Sequence, residues 1–345
     1  MSLLRGLESQ GFTEVIVFGV GGNFSGALDL LRQHGKEVVA CSDNNSDFWG
    51  REFSGILCIS IHELSKTKIP IFITSMYASQ IARQLSGLNT APIYDLSWCF
   101  DHIRWRGHFD PMLIKSEQEK IDRAKLTLGD EQSRKLFESL IEYRKTGDPS
   151  GVYKSDFPDY FHPLVHPEKG DVIVDGGAWE GDSARNFIEE LGGDCRVISF
   201  ECDSVNFEKL RKNLKCYGED VFQAIKKGLW SSHEKLYLVA TSDHSMQLQV
   251  TKMQTDNSID VVSLDDFIAG EIDFVKMDIE GSEIEAIKGM RRLIKNQKPK
   301  CAICIYHRSN DLWEIPLLLK SLNPSYTFYL GHHSHNLFET TLYAI

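Results

Sequence analysis

Residues 171–182 read DVIVDGGAWEGD, and this segment constrains the fold more than any other. Val172-Ile173-Val174 reads as a buried strand that runs directly into Asp175-Gly176-Gly177-Ala178, with a helix expected from near Asp182-Ser183. An acid and two glycines after such a strand put backbone, not side chain, at its carboxyl end, where open α/β sheets bind ligands. Glycine lets the chain turn sharply and lets a ligand approach the backbone. One strand-helix-strand later, Val197-Ile198-Ser199-Phe200-Glu201 supplies a second acidic strand end, 201 − 175 = 26 positions on. That spacing suits a carboxylate accepting both hydroxyls of a ribose, so the pair points to a nucleoside cofactor.

A chain of 345 residues favours about two domains. With 42% hydrophobic and 25% charged residues, it has an ordinary globular composition. The net charge of −11 argues against a nucleic-acid partner, which favours a basic face. No apolar run approaches the ~20 residues that span a bilayer, and the amino terminus lacks the apolar core of a signal peptide. A cytoplasmic protein is expected. Eight cysteines are scattered without a disulfide framework, which suits a reducing compartment. Cys301 and Cys304 form a CxxC inside the apolar run CAICIY, where residues three apart in a strand face opposite ways. Two buried core cysteines fit that pattern better than a zinc site.

Strands alternate with helices along most of the chain, which predicts parallel sheets. In the first hundred residues, strands are expected over 13–19, 37–41, 56–61, 70–74 and 92–94, with helices over Ser25–His34 and Ala78–Leu85. Residues 101–152 read as a charged helical connector ending in the linker Thr146–Gly151. From 153 to 345 a second α/β unit follows. Its strands are expected at Val172–Val174, Val197–Phe200, Val221–Ala224, Asp273–Met277 and Cys301–Tyr306, and Tyr326–Leu330 and Leu337–Ala344 form a closing antiparallel pair.

The second unit resembles the class I S-adenosylmethionine-dependent methyltransferases, specifically the FkbM family. The resemblance is carried in order by VDGGAWEGDS (174–183), FECDSVNFEKLRKNL (200–214), KGLW (227–230), VSLDDFI (262–268), DFVKMDIEGSEIEAIKGM (273–290), YHRSNDLWEIPLLLKSLNP (306–324) and HHS…ETTLYA (332–344). It implies an α/β fold of two Rossmann-like units, the second a seven-stranded methyltransferase sheet with an antiparallel terminal hairpin. It also implies methyl transfer, usually to oxygen, on a sugar, glycan or secondary metabolite, with S-adenosyl-L-methionine as cofactor.

Read residue by residue, Asp175 attracts the cofactor's amino-acid ammonium, directly or through water, while Gly176, Gly177 and Ala178 leave room for that moiety. Gly181 opens the start of the helix, and Asp182 or Ser183 caps it or lines the site. Glu201 accepts the ribose hydroxyls, Cys202 lines the adenine edge beside Asp203, and Gly228 and Leu229 pack on adenine. Asp278 contacts the methyl donor or the acceptor hydroxyl, with Glu280 second and Glu283 read as a helix-dipole charge. His307 follows the fifth strand at the same edge and is read as general base or acceptor contact, with a structural histidine as the alternative. His332, His333 and His335 are placed in a hairpin loop as a substrate wall. Tyr160, Phe161 and His162 form either a lid or packing. No metal is expected.

In the first unit, Gly19-Val20-Gly21-Gly22 begins a dinucleotide fingerprint, but Phe24 stands where the third glycine belongs. Asp43 lies 43 − 19 = 24 positions on, about right for a ribose acid. This second nucleotide site is balanced by a domain that only orients substrate or mediates a homodimer. Two competing functions stay open: an enzyme dependent on NAD or a nucleotide sugar that uses the first unit, and a non-catalytic nucleotide-binding assembly protein.

Overall fold

The computed structural model describes residues 11–75, 77–88, 91–97, 106–147, 149–240, 248–251, 258–334 and 336–345. Cys99, His335 and the expected boundary at 100/101 lie outside them. The chain forms two compact units: residues to Asp110 with Glu142–Gly151, and Pro111–Ile141 with Val152–Ile345. No helix among the described residues is long and apolar enough to cross a membrane.

The first unit is built on β1 (Glu14–Phe18), α1 (Phe24–Gln33), β2 (Glu37–Ser42), β3 (Glu52–Phe53), β4 (Ile56–Ile59), α2 (Ile61–Leu64), β5 (Ile71–Ile73), α3 (Ala78–Ser86) and β6 (Ile93–Asp95). Its sheet runs β3-β4-β2-β1-β5-β6, parallel except for the β3–β4 pair. Alternate residues of β1 enter opposite cores. Val15 and Val17 pack with Phe24, Leu28 and Leu31, whereas Ile16 and Phe18 pack with Ile81 and Leu85. Both faces are therefore covered, as a parallel sheet requires. Helix α1 presents Phe24, Ala27, Leu28 and Leu31 at helical spacing and stops before Gly35, whose φ of +68° suits glycine.

The second unit begins with α4 (Pro111–Ser116), α5 (Gln118–Leu126) and the start of α6 (Glu131–Thr146). These helices correct the expectation of a solvated connector. Ile114, Ile121, Ala124, Leu136, Phe137 and Leu140 are buried in one core with Trp313 and Leu319. The charges flank an apolar stripe that the composition of the segment masks.

The rest comprises β7 (Val172–Gly176), α7 (Asp182–Glu190), β8 (Arg196–Phe200), α8 (Ser204–Asn213), β9 (Phe222–Ile225), β10 (Gly228–Leu229), β11 (Glu234–Ala240), β12 (Leu248–Thr251), β13 (Ser258–Val262), α9 (Leu264–Phe267), β14 (Phe274–Met277), α10 (Glu283–Lys288), α11 (Arg291–Asn296), β15 (Lys300–Cys304), α12 (Asp311–Leu322), β16 (Phe328–His332) and β17 (Thr340–Ala344). The main sheet runs β16-β17-β15-β14-β7-β8-β9. Its inner strands are parallel, and β17 is antiparallel to both β15 and β16. This is the seven-stranded class I methyltransferase sheet with its terminal hairpin. Strand order reverses between β7 and β14, so the crevice for a ligand falls at their carboxyl ends. Cys301 and Cys304 are both buried in β15, as expected.

A second sheet, β10-β13-β11-β12, was not anticipated. Its strands are two to seven residues long; β11 pairs with the neighbouring β12 and with β13, and β10, of two residues, is too short to show a period. Gly228 and Leu229 belong to this sheet, paired with Val261 and Val262.

Candidate active site

Parallel register sets Asp175 of β7 beside Lys276 of β14 and Ser199 of β8. Asp175 is fully buried. Its Oδ1 lies 3.1 Å from Lys276 Nζ, and its carboxylate accepts hydrogen bonds from Ser183 Oγ at 2.9 and 3.1 Å and from Ser199 Oγ at 3.1 Å. Lys276 Nζ also donates to the Gly177 carbonyl at 2.8 Å and sits 5.4 Å from the centre of the Tyr160 ring. Burial works against the ammonium, but Asp175 and then Asp278 outweigh it and hold Lys276 charged. Removing one partner of such a buried pair costs about 3–5 kcal/mol. The direct ammonium contact expected of Asp175 is therefore corrected: an internal cation already takes that place. A lysine between apolar neighbours in FVKM was the sequence signal for it.

The glycines also serve the protein. A Cβ on Gly177 (φ +73°) would strike the Asp278 carbonyl, and one on Gly176 would lie 2.7 Å from Leu229 Cδ1. The space left by the missing Cβ atoms is taken by the Asp278 carbonyl and by Leu229. Leu229 is itself buried in the larger core and does not line an open adenine face. Ala178 is buried, and its N–H donates to the Phe200 carbonyl. Gly181, at φ +95°, holds the N-cap position of α7, because a Cβ there would press on Leu210 and Leu214 at 2.9 Å. Neither Asp182 nor Ser183 is the cap: Asp182 opens the helix, and Ser183 turns inward to Asp175.

Glu201 stands at the end of β8 as expected. Its carboxylate accepts the Trp179 N–H at 2.9 Å and the Asp203 N–H at 2.7 Å, and so ties the glycine turn to the next loop. Burial pushes its carboxyl upward against those two bonds. Cys202, half-buried beside it, is pushed up to about 12 by burial and by Glu201. Asp203 caps α8 by accepting the Val205 and Asn206 N–H groups.

The end of β14 gathers a second cluster. His307, 5% exposed, has Nδ1 2.9 Å from Glu283 Oε1 and Nε2 3.2 Å from Asp278 Oδ1 and 3.7 Å from Glu280 Oε2. Burial opposes a charged ring, but Glu283 and Asp278 prevail and hold it charged. Asp278 accepts the Tyr306 hydroxyl at 3.1 Å. Burial would raise it, yet His307, Lys276 and Tyr306 hold it well below the usual carboxylate range. A general base must be unprotonated near the working pH and reach its proton. A buried imidazolium between carboxylates does neither, which corrects the base assigned to His307. Glu283, read as a helix charge, opens α10, is fully buried, and also accepts the Ile279 N–H at 3.0 Å.

His332 does not lie in a loop. It closes β16, fully buried, with Nδ1 2.8 Å from Thr340 Oγ1, so it is no substrate wall. His333 packs on Phe157, with Nε2 3.4 Å from Asp159 Oδ1. Burial lowers His333 to about 4, while burial, then Glu339 and Asp278, raise Asp159 to about 7. Their contact near neutrality therefore involves an uncharged imidazole. Tyr160 (φ +66°) is half-buried against Phe187, and its N–H bonds to Asp159 and to the Tyr343 hydroxyl. It is packing beneath Lys276 rather than a lid. Sequence reasoning passed over Asp159, Lys276, Ser199 and Tyr306.

In the first unit, Gly19 (φ +109°) follows β1, and Asp43 accepts the Val20 N–H at 2.8 Å and the Asn45 N–H at 2.9 Å. Gly19, Asp43, Asn44, Ser75, Tyr77 and Gln84 line a cavity of about 380 Å³ at the β1/β5 strand-order reversal. Nothing stands within 4 Å of a Cβ built on Gly21 or Gly22.

Comparison with known proteins agrees with this fold. Residues 175–330 match the methyltransferase FkbM domain. The second unit carries an FkbM methyltransferase domain. Residues 12–91 match the C2185-like amino-terminal family. The FkbM methyltransferase crystal structure from Methylobacillus flagellatus KT shares 24% identity with this chain. The match covers 99% of this chain and 92% of that one at a TM-score of 0.71, which places the fold of both units. A putative rRNA methylase from Clostridium thermocellum matches 51% of this chain and 86% of its own at 15% identity and a TM-score of 0.34. Aeropyrum pernix fibrillarin with natively bound S-adenosyl-L-methionine matches 52% and 67% at 12% identity and a TM-score of 0.35. No curated protein matches the chain.

Proposed function

We propose that the FkbM domain transfers a methyl group from S-adenosyl-L-methionine to a hydroxyl of a sugar, glycan or other small metabolite. The observation that carries this reading is Glu201, a carboxylate fixed by two backbone N–H groups at the end of β8, one strand from the β7/β14 reversal. Each of its oxygens keeps acceptor capacity for a ribose hydroxyl. The sulfonium is a cation, and the acid-rich edge formed by Asp278, Glu280 and Asp159 favours it by proximity. The cofactor supplies the methyl group; the protein aligns the acceptor oxygen and excludes water, which contribute a large share of the rate. The acceptor's proton needs a group that titrates near neutrality. Asp159, at about 7, fits that requirement better than the low-lying Asp278 or the clamped His307.

Calorimetric titration with S-adenosylmethionine and S-adenosylhomocysteine, followed by a screen of hydroxyl acceptors, tests the proposal. Binding of both and turnover that rises as pH passes through 7 are expected. A protein that binds NAD alone would sink it.

A second reading concerns the first unit. The cavity beside Gly19 and Asp43 suits a nucleotide or a nucleotide-linked acceptor, held while the FkbM domain acts. Titration with NAD and with a UDP-sugar tests it, and no heat from either removes that role in favour of orienting the substrate or forming a homodimer.

A further inference from the structure

Three polar atoms behind the acidic edge of β14 make no hydrogen bond of normal geometry: His307 Nδ1, His307 Nε2 and Glu283 Oε2. All are sealed from solvent, His307 at 5% exposure and Glu283 at 0%. A buried polar atom left unsatisfied costs about 1–3 kcal/mol. Native structures hold few of them, and an ion or a water is a usual explanation. Here they sit together. Asp278, Glu283 and His307 each offer a ligand atom within 4.8 Å of the others, and among the described residues no other such group of histidine, cysteine and acid occurs.

Three elements converge to make this group. Asp278 leaves β14, Glu283 opens α10, and His307 follows β15 by three residues. Glu280 adds a carboxylate oxygen 3.7 Å from His307 Nε2 on the solvent side. It does so from a backbone φ of +54°, a conformation that costs a non-glycine residue about 1–3 kcal/mol and recurs at ligand sites. An imidazole with two or three carboxylates is a donor set for a hard or borderline divalent cation such as Mg²⁺ or Mn²⁺.

We propose that Asp278, Glu283 and His307 bind a divalent cation at the carboxyl edge of β14 and β15 in exchange for a ring proton of His307, which leaves to solvent, with Glu280 and water completing its shell. Its use rests on the methyl-transfer reading: a cation there takes the acceptor's hydroxyl oxygen as a further ligand and makes that hydroxyl more acidic. Its ligands are independent of that reading.

The test is electron paramagnetic resonance titration of the chelator-treated, full-length protein with Mn²⁺, with S-adenosylmethionine affinity measured by calorimetry on the same samples. One Mn²⁺ per chain is expected, with affinity lowered at least tenfold in Asp278→Asn and severalfold in Glu280→Gln. Both side chains reach the surface, so these variants avoid the folding risk of replacing His307. No binding at millimolar Mn²⁺, or binding unchanged in Asp278→Asn, overturns the site and leaves the imidazolium as its own cation. Cofactor binding without Mn²⁺ rejects the cation and spares methyl transfer. Mn²⁺ binding without cofactor rejects methyl transfer and spares the site.

Discussion

The two units use one device twice. In each, a glycine turn follows the first strand, and the acid that ends the second strand accepts one N–H from that turn and another two residues beyond itself. Asp43 does this with Val20 and Asn45; Glu201 does it with Trp179 and Asp203. The units part at the next strand. β5 ends in Ile73 and β1 in Phe18, whereas β14 and β7 bring Lys276 and Asp175 together as a buried pair. The glycines diverge as well. Gly21 and Gly22 face open space, while Gly176 and Gly177 are filled by protein. The two units thus share a strand-end clamp, but among the described residues the buried lysine–aspartate pair lies in the second.

The largest expected break in this comparison is Lys276→Met. It strands Asp175 in the core and should lower the stability of the second unit by about 3–5 kcal/mol in urea denaturation. Asp43→Asn, with no buried cation opposite, should cost far less. A similar loss in both would erase the distinction.

Gly177→Ala should follow, at about 2–3 kcal/mol, because the methyl meets the Asp278 carbonyl at a positive φ. Gly21→Ala should leave the denaturation midpoint unmoved. If Gly177→Ala were equally silent, the glycine contrast would be wrong.

Glu201→Gln should weaken S-adenosylmethionine by about 10–100-fold, the worth of hydrogen bonds to a charged group, while Asp43→Asn leaves that affinity intact. Isothermal titration of both variants decides which clamp holds the cofactor.

The last expected effect depends on pH and concerns Asp159. Its carboxyl is raised from 3.8 to about 7, with burial as the leading cause, so the folded state holds a proton that the unfolded chain has released. That contribution is full below pH 4 and is lost as pH rises through 7. Asp159→Asn should flatten this part of the stability–pH curve. An unchanged slope would deny Asp159 its shifted titration and its suitability as the proton acceptor.

Apart from β3, the strands of both main sheets were legible, most clearly the parallel ones, because buried parallel strands are short apolar runs bounded by glycine or acid. β1, β7, β8 and β14 each fall within a residue or two of their expected limits. The sheet of β10 to β13 was not, since a strand as short as the two-residue β10 carries no readable alternation. The stretch 111–141 was expected to be helical and is, but its burial was missed because charge density hid Ile121, Leu136 and Leu140. At the site, Asp175, Glu201 and Asp278 were found by their places at strand ends. Their contacts were not found, and with those contacts the roles of Asp175, His307 and His332 changed.

By itself the sequence determined the alternation of strand and helix, the strand ends, and the acids that stand there, because each depends on neighbours within a few residues. The tertiary structure alone decided that Lys276 neutralises Asp175, that Gly177 yields to the Asp278 carbonyl, and that His307 is locked between carboxylates. Those outcomes depend on which strands lie side by side, and charge and packing act across space without regard to distance along the chain.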